Sequence, residues 1–415
     1  MRRSTLNVAR VTPVKGLVRL ALLVLGGAAV LLPAQGRAND FCPDVYDQGG
    51  FDLPFNPAFT YMAEMNFGGS SYDGLIVTSF FNAIKTADGT STIDFYERDL
   101  VARITGVGYR TPAWWSPSQA EILTDLDVTS PVTPNGPGQQ VWPNEAERVP
   151  DGVLPFEAIV SPQGFHRTPS PGRLTLINLD DPSREEYVIH QSRQEGGPCR
   201  TDPSDPNYSE GQQPRFYHVV KWVDMDSDGL KDAVTVRSGF KVSGAFCLQN
   251  PAGEVVWFKN PGASIDAATQ WDEFVITEYP LNVTGPDIAL DMADFEGDGV
   301  PDIVATNFFT GEVISLYGAP VGDSDWSTVN TDTNPPRIAT ISSGQGRPFG
   351  VRISDLNRDG KPDVLATNHQ SDGCFRRTQD PIPGRVYVLE QPASGDIFND
   401  PWTTHIIKDN IRPNP

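Results

Sequence analysis

Three short segments in the C-terminal half share one design: DMDSDGLKD from Asp224 to Asp232, DFEGDGVPD from Asp294 to Asp302, and DLNRDGKPD from Asp355 to Asp363. Oxygen-bearing side chains fall at the first, third, fifth and ninth positions, with glycine at the sixth. A hard cation such as Ca²⁺ needs several oxygens converging within about 2.3–2.6 Å of one point, and the glycine permits the sharp curl that this requires. Because the design recurs, it also marks an internal repeat, and a repeat constrains the fold more tightly than any single motif.

The flanks supply the rest of the repeat unit. FYHVVKWV, AVTV, EVVWFKNP and WDEFVITE surround the first loop. DIALDMA, IVATNFF, EVISLYGA and RIATISS surround the second, and FGVRIS, VLATNHQ, RVYVLEQP and WTTHIIKD the third. Each unit reads strand, Asp loop, strand, turn, strand, loop, strand. Four antiparallel strands at a period of roughly 60–70 residues mark a blade of a β-propeller. The same pattern runs upstream without complete Asp loops. YMAEMNF, LIVTSFF, TIDFYER and ARITGV form one unit, in which the loop is reduced to SSYDG. QQVWPNE, EAIVSPQ, RLTLINL and REEYVIH form another, in which it is reduced to VPDGV. The expected fold is therefore all-β, a propeller of about five four-stranded blades (six or seven also being compatible), at 58–107, 138–191, 212–278, 286–342 and 347–408.

The chain resembles the FG-GAP/VCBS repeat proteins, whose integrin-α-like blades carry a Ca²⁺ loop between the first and second strands. The DxDxDGxxD pattern matches in full at 224–232, with Glu296 and Asn357 at the third position of the later copies. The resemblance implies a secreted or surface-exposed propeller, often used in adhesion or carbohydrate recognition, without specifying one ligand. An EF-hand is disfavoured, because it needs a bidentate Glu at its twelfth position and helical flanks. Here that position is Thr235, Ala305 or Ala366, and the flanks are β. About three Ca²⁺ ions are expected. The first would be held by Asp224, Asp226, Asp228, Asp232 and the Leu230 carbonyl. Asp294, Glu296, Asp298, Asp302 and the Val300 carbonyl would hold the second. Asp355, Asn357, Asp359, Asp363 and the Lys361 carbonyl would hold the third. Their expected role is structural, since crowded carboxylates would otherwise splay the blade.

The leader sets the compartment. Arg2, Arg3, Arg10, Lys15 and Arg19 precede an apolar run from Leu20 to Pro33 that is short for a membrane span, and Gly36-Arg37-Ala38 suits a cleavage site. Residues 1–38 thus read as a secretory signal and 39–415 as a single propeller domain, secreted, periplasmic or at the cell surface. The net charge of −21 argues against nucleic acid and anionic membrane partners, and suits a protein that binds divalent cations. An extracellular glycan or protein is the expected partner of a monomeric chain that does not insert into membranes. The four cysteines lie beyond the leader, which favours disulfides, and three pairings are open. Placement on the blades favours Cys42–Cys374 and Cys199–Cys247.

The Asp loops occupy one end of each blade, so a ligand site is sought at the other. That end collects Arg237, Asn307, Phe308, Arg347, Asn368, His369, Arg376, Arg377, His166 and Arg167, a basic set suited to an acidic sugar or another carboxylate. On the innermost strands, Lys221, Asp291 and Arg352 take equivalent positions and are expected to form an ion-paired ring. Val220, Trp222, Leu290, Met292, Val351 and Ile353, on the opposite parity, are expected to pack between blades. His190 and His405 are expected to pack in fourth strands. No nucleophile elbow or HExxH is present, and the reading leans towards a non-catalytic binder. A polysaccharide lyase or hydrolase and a structural assembly module are the alternatives.

Overall fold

A computed structural model describes residues 4–5, 52–53, 59–67, 70–79, 100–105, 120–125, 143–164, 172–191, 215–241, 249–267, 270–279, 285–308, 312–369 and 382–411. Among the described residues the protein is all-β, with five four-stranded antiparallel sheets, the blades of a five-bladed β-propeller. A minor pair joins β1 (Ser4–Thr5) to β2 (Asp52–Leu53). The chain divides into two compact units, Met1–Arg148 and Val149–Pro415. No helix among the described residues is long and apolar enough to cross a membrane.

The first blade is β3 (Thr60–Phe67), β4 (Ser70–Ser79), β5 (Leu100–Thr105) and β6 (Ala120–Asp125), paired in that order. It corrects the sequence phasing in two ways. SSYDG is not a reduced loop but part of β4, with Asp73 paired to Glu64 in an uninterrupted hairpin ladder. The third strand is LVARIT and the fourth AEILTD, so the blade extends beyond residue 107. TIDFYER lies outside the described residues. The misphasing has a physical cause: without an Asp loop to mark the first turn, β-rich segments cannot be assigned to a strand position by local pattern alone.

The second blade has the order β10-β9-β8-β7: β7 (Glu147–Arg148), β8 (Ala158–Pro162), β9 (Arg173–Asn178) and β10 (Glu186–Gln191). VPDGV precedes β8 in a turn, where Gly152 has a φ of 80°. The third blade is β11 (Arg215–Val223), β12 (Asp232–Lys241), β13 (Gln249–Lys259) and β14 (Asp272–Glu278). The fourth is β15 (Leu290–Ala293), β16 (Asp302–Asn307), β17 (Val313–Gly318) and β18 (Arg337–Ser343). The fifth is β19 (Arg347–Ser354), β20 (Asp363–His369), β21 (Gly384–Glu390) and β22 (Thr403–Ile411).

Within Val149–Pro415 the core consists of three layers, each between two consecutive blades. Val160, Leu174, Leu176 and Ile189 meet Val220, Ala233 and Phe258. Val219, Val234 and Trp257 meet Leu290, Ile303 and Tyr317. Ile288, Val304 and Leu316 meet Val351, Val364 and Tyr387. Middle strands such as β9 and β16 are buried along their whole length because both faces of a blade are covered. For the same reason the expected division of the innermost strands needs correction. The bulky parity does pack between blades, but so does the parity of Lys221: Val219 of β11 faces the fourth blade while Val220 faces the second. Burying each such side chain is worth about 1.5–3 kcal/mol.

Candidate metal centre and opposite-end cluster

Each Asp loop joins the first and second strands of its blade, and its own carboxylates shape it. The first Asp accepts backbone N–H groups across the curl. Asp228 N donates to Asp224 Oδ1 at 3.1 Å and Gly229 N to Oδ2 at 2.9 Å. Gly299 N and Gly360 N repeat this on Asp294 and Asp355. The fifth position receives the N–H two residues on, from Leu230, Val300 and Lys361. The ninth is buried in the strand and accepts from Met225 N, Phe295 N and Leu356 N at 2.9–3.1 Å. Gly229, Gly299 and Gly360 have φ between 87° and 90°, where a side chain would be strained.

These bonds leave carboxylate lone pairs over, since each ionised group offers about four acceptor sites. One oxygen from each of Asp224, Asp226 and Asp232 lies within 4.8 Å of the others, an all-oxygen set that fits a hard cation. Asp226 Oδ1 and Asp363 Oδ1 are buried without a hydrogen-bond donor. Burial pushes Asp232 up to about 6, with the Asp226 and Asp228 charges adding to it against the N–H groups of Asn260 and Met225. Burial likewise pushes Asp302 up to about 7, with Glu296 adding. Carboxylates held in this way favour either a proton or a cation beside them.

Sequence reasoning missed the side chains that already face the loops. Lys259 forms ion pairs with Asp226 and, at 2.8 Å, with Asp228. Arg337 grips both oxygens of Glu296, with Nη1 to Oε1 at 2.9 Å. Asn357 donates to Glu390 Oε1 at 3.2 Å, and Glu390 pairs with His405 at 2.6 Å. Comparing WFKNP, SLYGA and VLEQP would have exposed the variable Lys, Gly and Glu.

At the blade ends opposite the loops, part of the expected set converges. Phe308, Phe349 and His369 pack with ring centroids 5.6–5.9 Å apart. His218 meets Phe349 edge-on at 6.0 Å. The Arg347 guanidinium lies 5.8 Å from the Phe308 ring and pairs with Glu312 at 3.6 Å. Phe349 and His218 were not anticipated. Asn368 serves the backbone instead: it donates to the Gln345 and Pro383 carbonyls and accepts from Arg385 N. Asn307 is buried at the end of β16. Arg376, Arg377, His166, Arg167 and all four cysteines of the expected pairs Cys42–Cys374 and Cys199–Cys247 lie outside the described residues.

Arg237 is a correction. It is 6 % exposed and does not belong to this surface. Its Nε pairs with Glu254, its Nη2 with Glu273, and its Nη1 donates to the Tyr217 hydroxyl at 3.3 Å. His190 closes the circuit, with Nδ1 2.5 Å from that hydroxyl and Nε2 2.8 Å from Glu273. Burial raises Tyr217 to about 12, so it remains a neutral phenol. Burial alone would raise Glu273, but His190 and Arg237 outweigh it and hold the carboxyl at about 2. His190 thus holds polar partners besides stacking on Phe258 at 5.0 Å, whereas His405 does not pack as expected: it is exposed and pairs with Glu390. The expected ring is present in part. Lys221 pairs with Asp291 at 3.2 Å, and Asp291 accepts Ile353 N at 2.8 Å. Arg352 Nη1 donates to the Val351 carbonyl at 3.4 Å.

No family model matches this chain, and no curated protein matches it.

Proposed function

We propose that this protein is a secreted, Ca²⁺-stabilised β-propeller of the FG-GAP/VCBS type, and that it binds an extracellular ligand at the blade ends opposite its Asp loops without transforming it. The observation that carries the ligand reading is the grouping of Arg347 with Phe308, Phe349 and His369. Aromatic faces suit the apolar side of a sugar ring, and a guanidinium suits a carboxylate by paired hydrogen bonds. An acidic glycan combines both features, so it is the favoured class over a protein surface.

The cation reading is supported by the buried, donorless oxygens of Asp226 and Asp363. Ions bound only by the folded state stabilise it by mass action. Chelation is therefore expected to lower the melting temperature, and Ca²⁺ to restore it. An unchanged melting temperature would refute the cation reading. Ligand binding is tested by a glycan array that includes uronic-acid polymers, with Arg347→Ala as the comparison. Loss of an acidic-glycan signal in the variant, with melting intact, is the expected result. Turnover of a polymer by the wild-type chain would instead make the protein an enzyme.

A further inference from the structure

The three Asp loops look equivalent in sequence but have different electrostatic surroundings. The difference arises at one register position. Ala233, Ile303 and Val364, each following the ninth loop residue, pair with Phe258, Tyr317 and Leu389 of the third strand. One residue further along that strand, beside the buried ninth Asp, stand Lys259, Gly318 and Glu390.

In the third blade this position supplies a cation directly. The Lys259 ammonium bridges Asp226 and Asp228, the third and fifth positions of the loop. In the fourth blade glycine makes room for a cation from the adjacent strand. A Cβ on Gly318 would lie 2.9 Å from Arg337 Nη2 and 2.9 Å from Asp302 Oδ1. The Arg337 guanidinium uses this gap to reach Glu296, donates from Nε to the Ala319 carbonyl at 2.7 Å, and lies 4.2 Å from the Phe398 ring. In the fifth blade the position carries a negative charge, Glu390, which Asn357 holds toward the loop. There Asp363 is 1 % exposed and its Oδ1 has no donor.

We propose that Lys259 is a resident counter-ion of the first loop that a divalent cation must displace, that Arg337 serves the second loop in the same way, and that the third loop, whose carboxylates pair with no Lys or Arg among the described residues, binds its cation most tightly. The inference rests on the reading of these loops as cation sites. Lys259 occupies two of the oxygens that the ion would use, and its charge repels the ion as it enters. Its flexible stem, with the side chain 34 % exposed, lets it swing into solvent once displaced. The chain would thus have graded cation affinities, with one site filled at low Ca²⁺ and two that fill as Ca²⁺ rises.

The test is calorimetric titration of CaCl₂ into the full chain after chelator removal, beside melting in EDTA and in Ca²⁺. Lys259→Met is expected to tighten one weak site about tenfold. It should also lower the melting temperature in EDTA more than in Ca²⁺. Glu390→Lys, at a half-exposed position, is expected to weaken the tightest site by a similar factor, and it remains informative if Lys259→Met fails to fold. Unchanged affinities in a folded variant would overturn the proposal, as would an equal loss of stability by Lys259→Met with and without Ca²⁺. Absence of Ca²⁺ binding in the wild-type chain would instead refute the cation reading itself.

Discussion

At the scale of single residues, the buried polar groups are the most exacting feature of this protein. Arg237 is buried against Glu254 and reaches out to the more exposed Glu273, pairing with both carboxylates. Replacing it by Met would remove the guanidinium from the buried Glu254 and leave Glu273 with His190, and breaking a buried ion pair typically costs about 3–5 kcal/mol. Urea denaturation of Arg237→Met should show a loss of that order, and a loss below about 1 kcal/mol would mean that water already reaches the network. His218 makes a separate contribution that depends on pH. Burial lowers its pKa from 6.5 to about 4. The folded state therefore keeps it neutral while the unfolded chain takes up a proton. Its contribution is complete above pH 6.5 and is lost as pH falls from 6.5 towards 4, to the extent of about 3 kcal/mol. Glu273, whose pKa is depressed to about 2, adds an acid loss that starts lower, as pH falls below 4.5. Asp232 and Asp302, raised to about 6 and about 7, act in the opposite sense over this window, so His218→Leu should make the chain relatively more stable between pH 6.5 and 4 than the wild type and leave the Glu273 loss below pH 4.5. An unaltered profile would show that another group governs the upper window.

At the scale of elements, the Asp loops and the strands around them are locally encoded. Spacing of carboxylates, a glycine at positive φ and alternating apolar residues all operate within a dozen positions, so the third, fourth and fifth blades were legible. The first blade was not, because its opening hairpin turns at a point without acidic residues and its third strand starts only after a long connection. Gly318 shows how an element depends on both neighbouring strands and on the next blade. It permits β17 to pass close to Arg337, Asp302 and the Phe398 ring. Gly318→Ala should destabilise the chain by about 1–3 kcal/mol through overpacking. The loss should shrink in an Arg337→Ala background, which removes part of the clash. Additive losses, measured by thermal or denaturant melts, would show that the crowding comes from Phe398 and Asp302 rather than Arg337.

At the scale of the larger unit, Val149–Pro415, consecutive blades are joined by apolar layers and by polar ties. Asp291 is the clearest of these, because it takes Lys221 from the third blade and the Ile353 amide from the fifth. A double-mutant cycle on Asp291→Ala and Lys221→Met should show a coupling of about 0.5–3 kcal/mol. Asp291→Ala alone should cost more than Lys221→Met, since it also leaves the Ile353 amide without its partner. Equal single losses with no coupling would assign the stability to the apolar layers alone. The net charge of −21 acts across the whole chain and opposes its compaction by self-repulsion.

The sequence by itself determined the fold class, the four-strand repeat and the position of the acidic loops. These follow from periodicity and turn chemistry, which a chain expresses over a few residues. It also pointed to Phe308, Arg347 and His369 as neighbours, because the blade phase puts the ends of equivalent strands together. It misplaced Arg237, since inward and outward senses on a strand are settled only by what packs against each face. Only the tertiary structure decided that the acidic loops have unlike surroundings: Lys259, Arg337 and Glu390 reach them from strands far along the chain. Charge acts through space, and the register of distant strands is set by the packing of whole blades rather than by any local pattern.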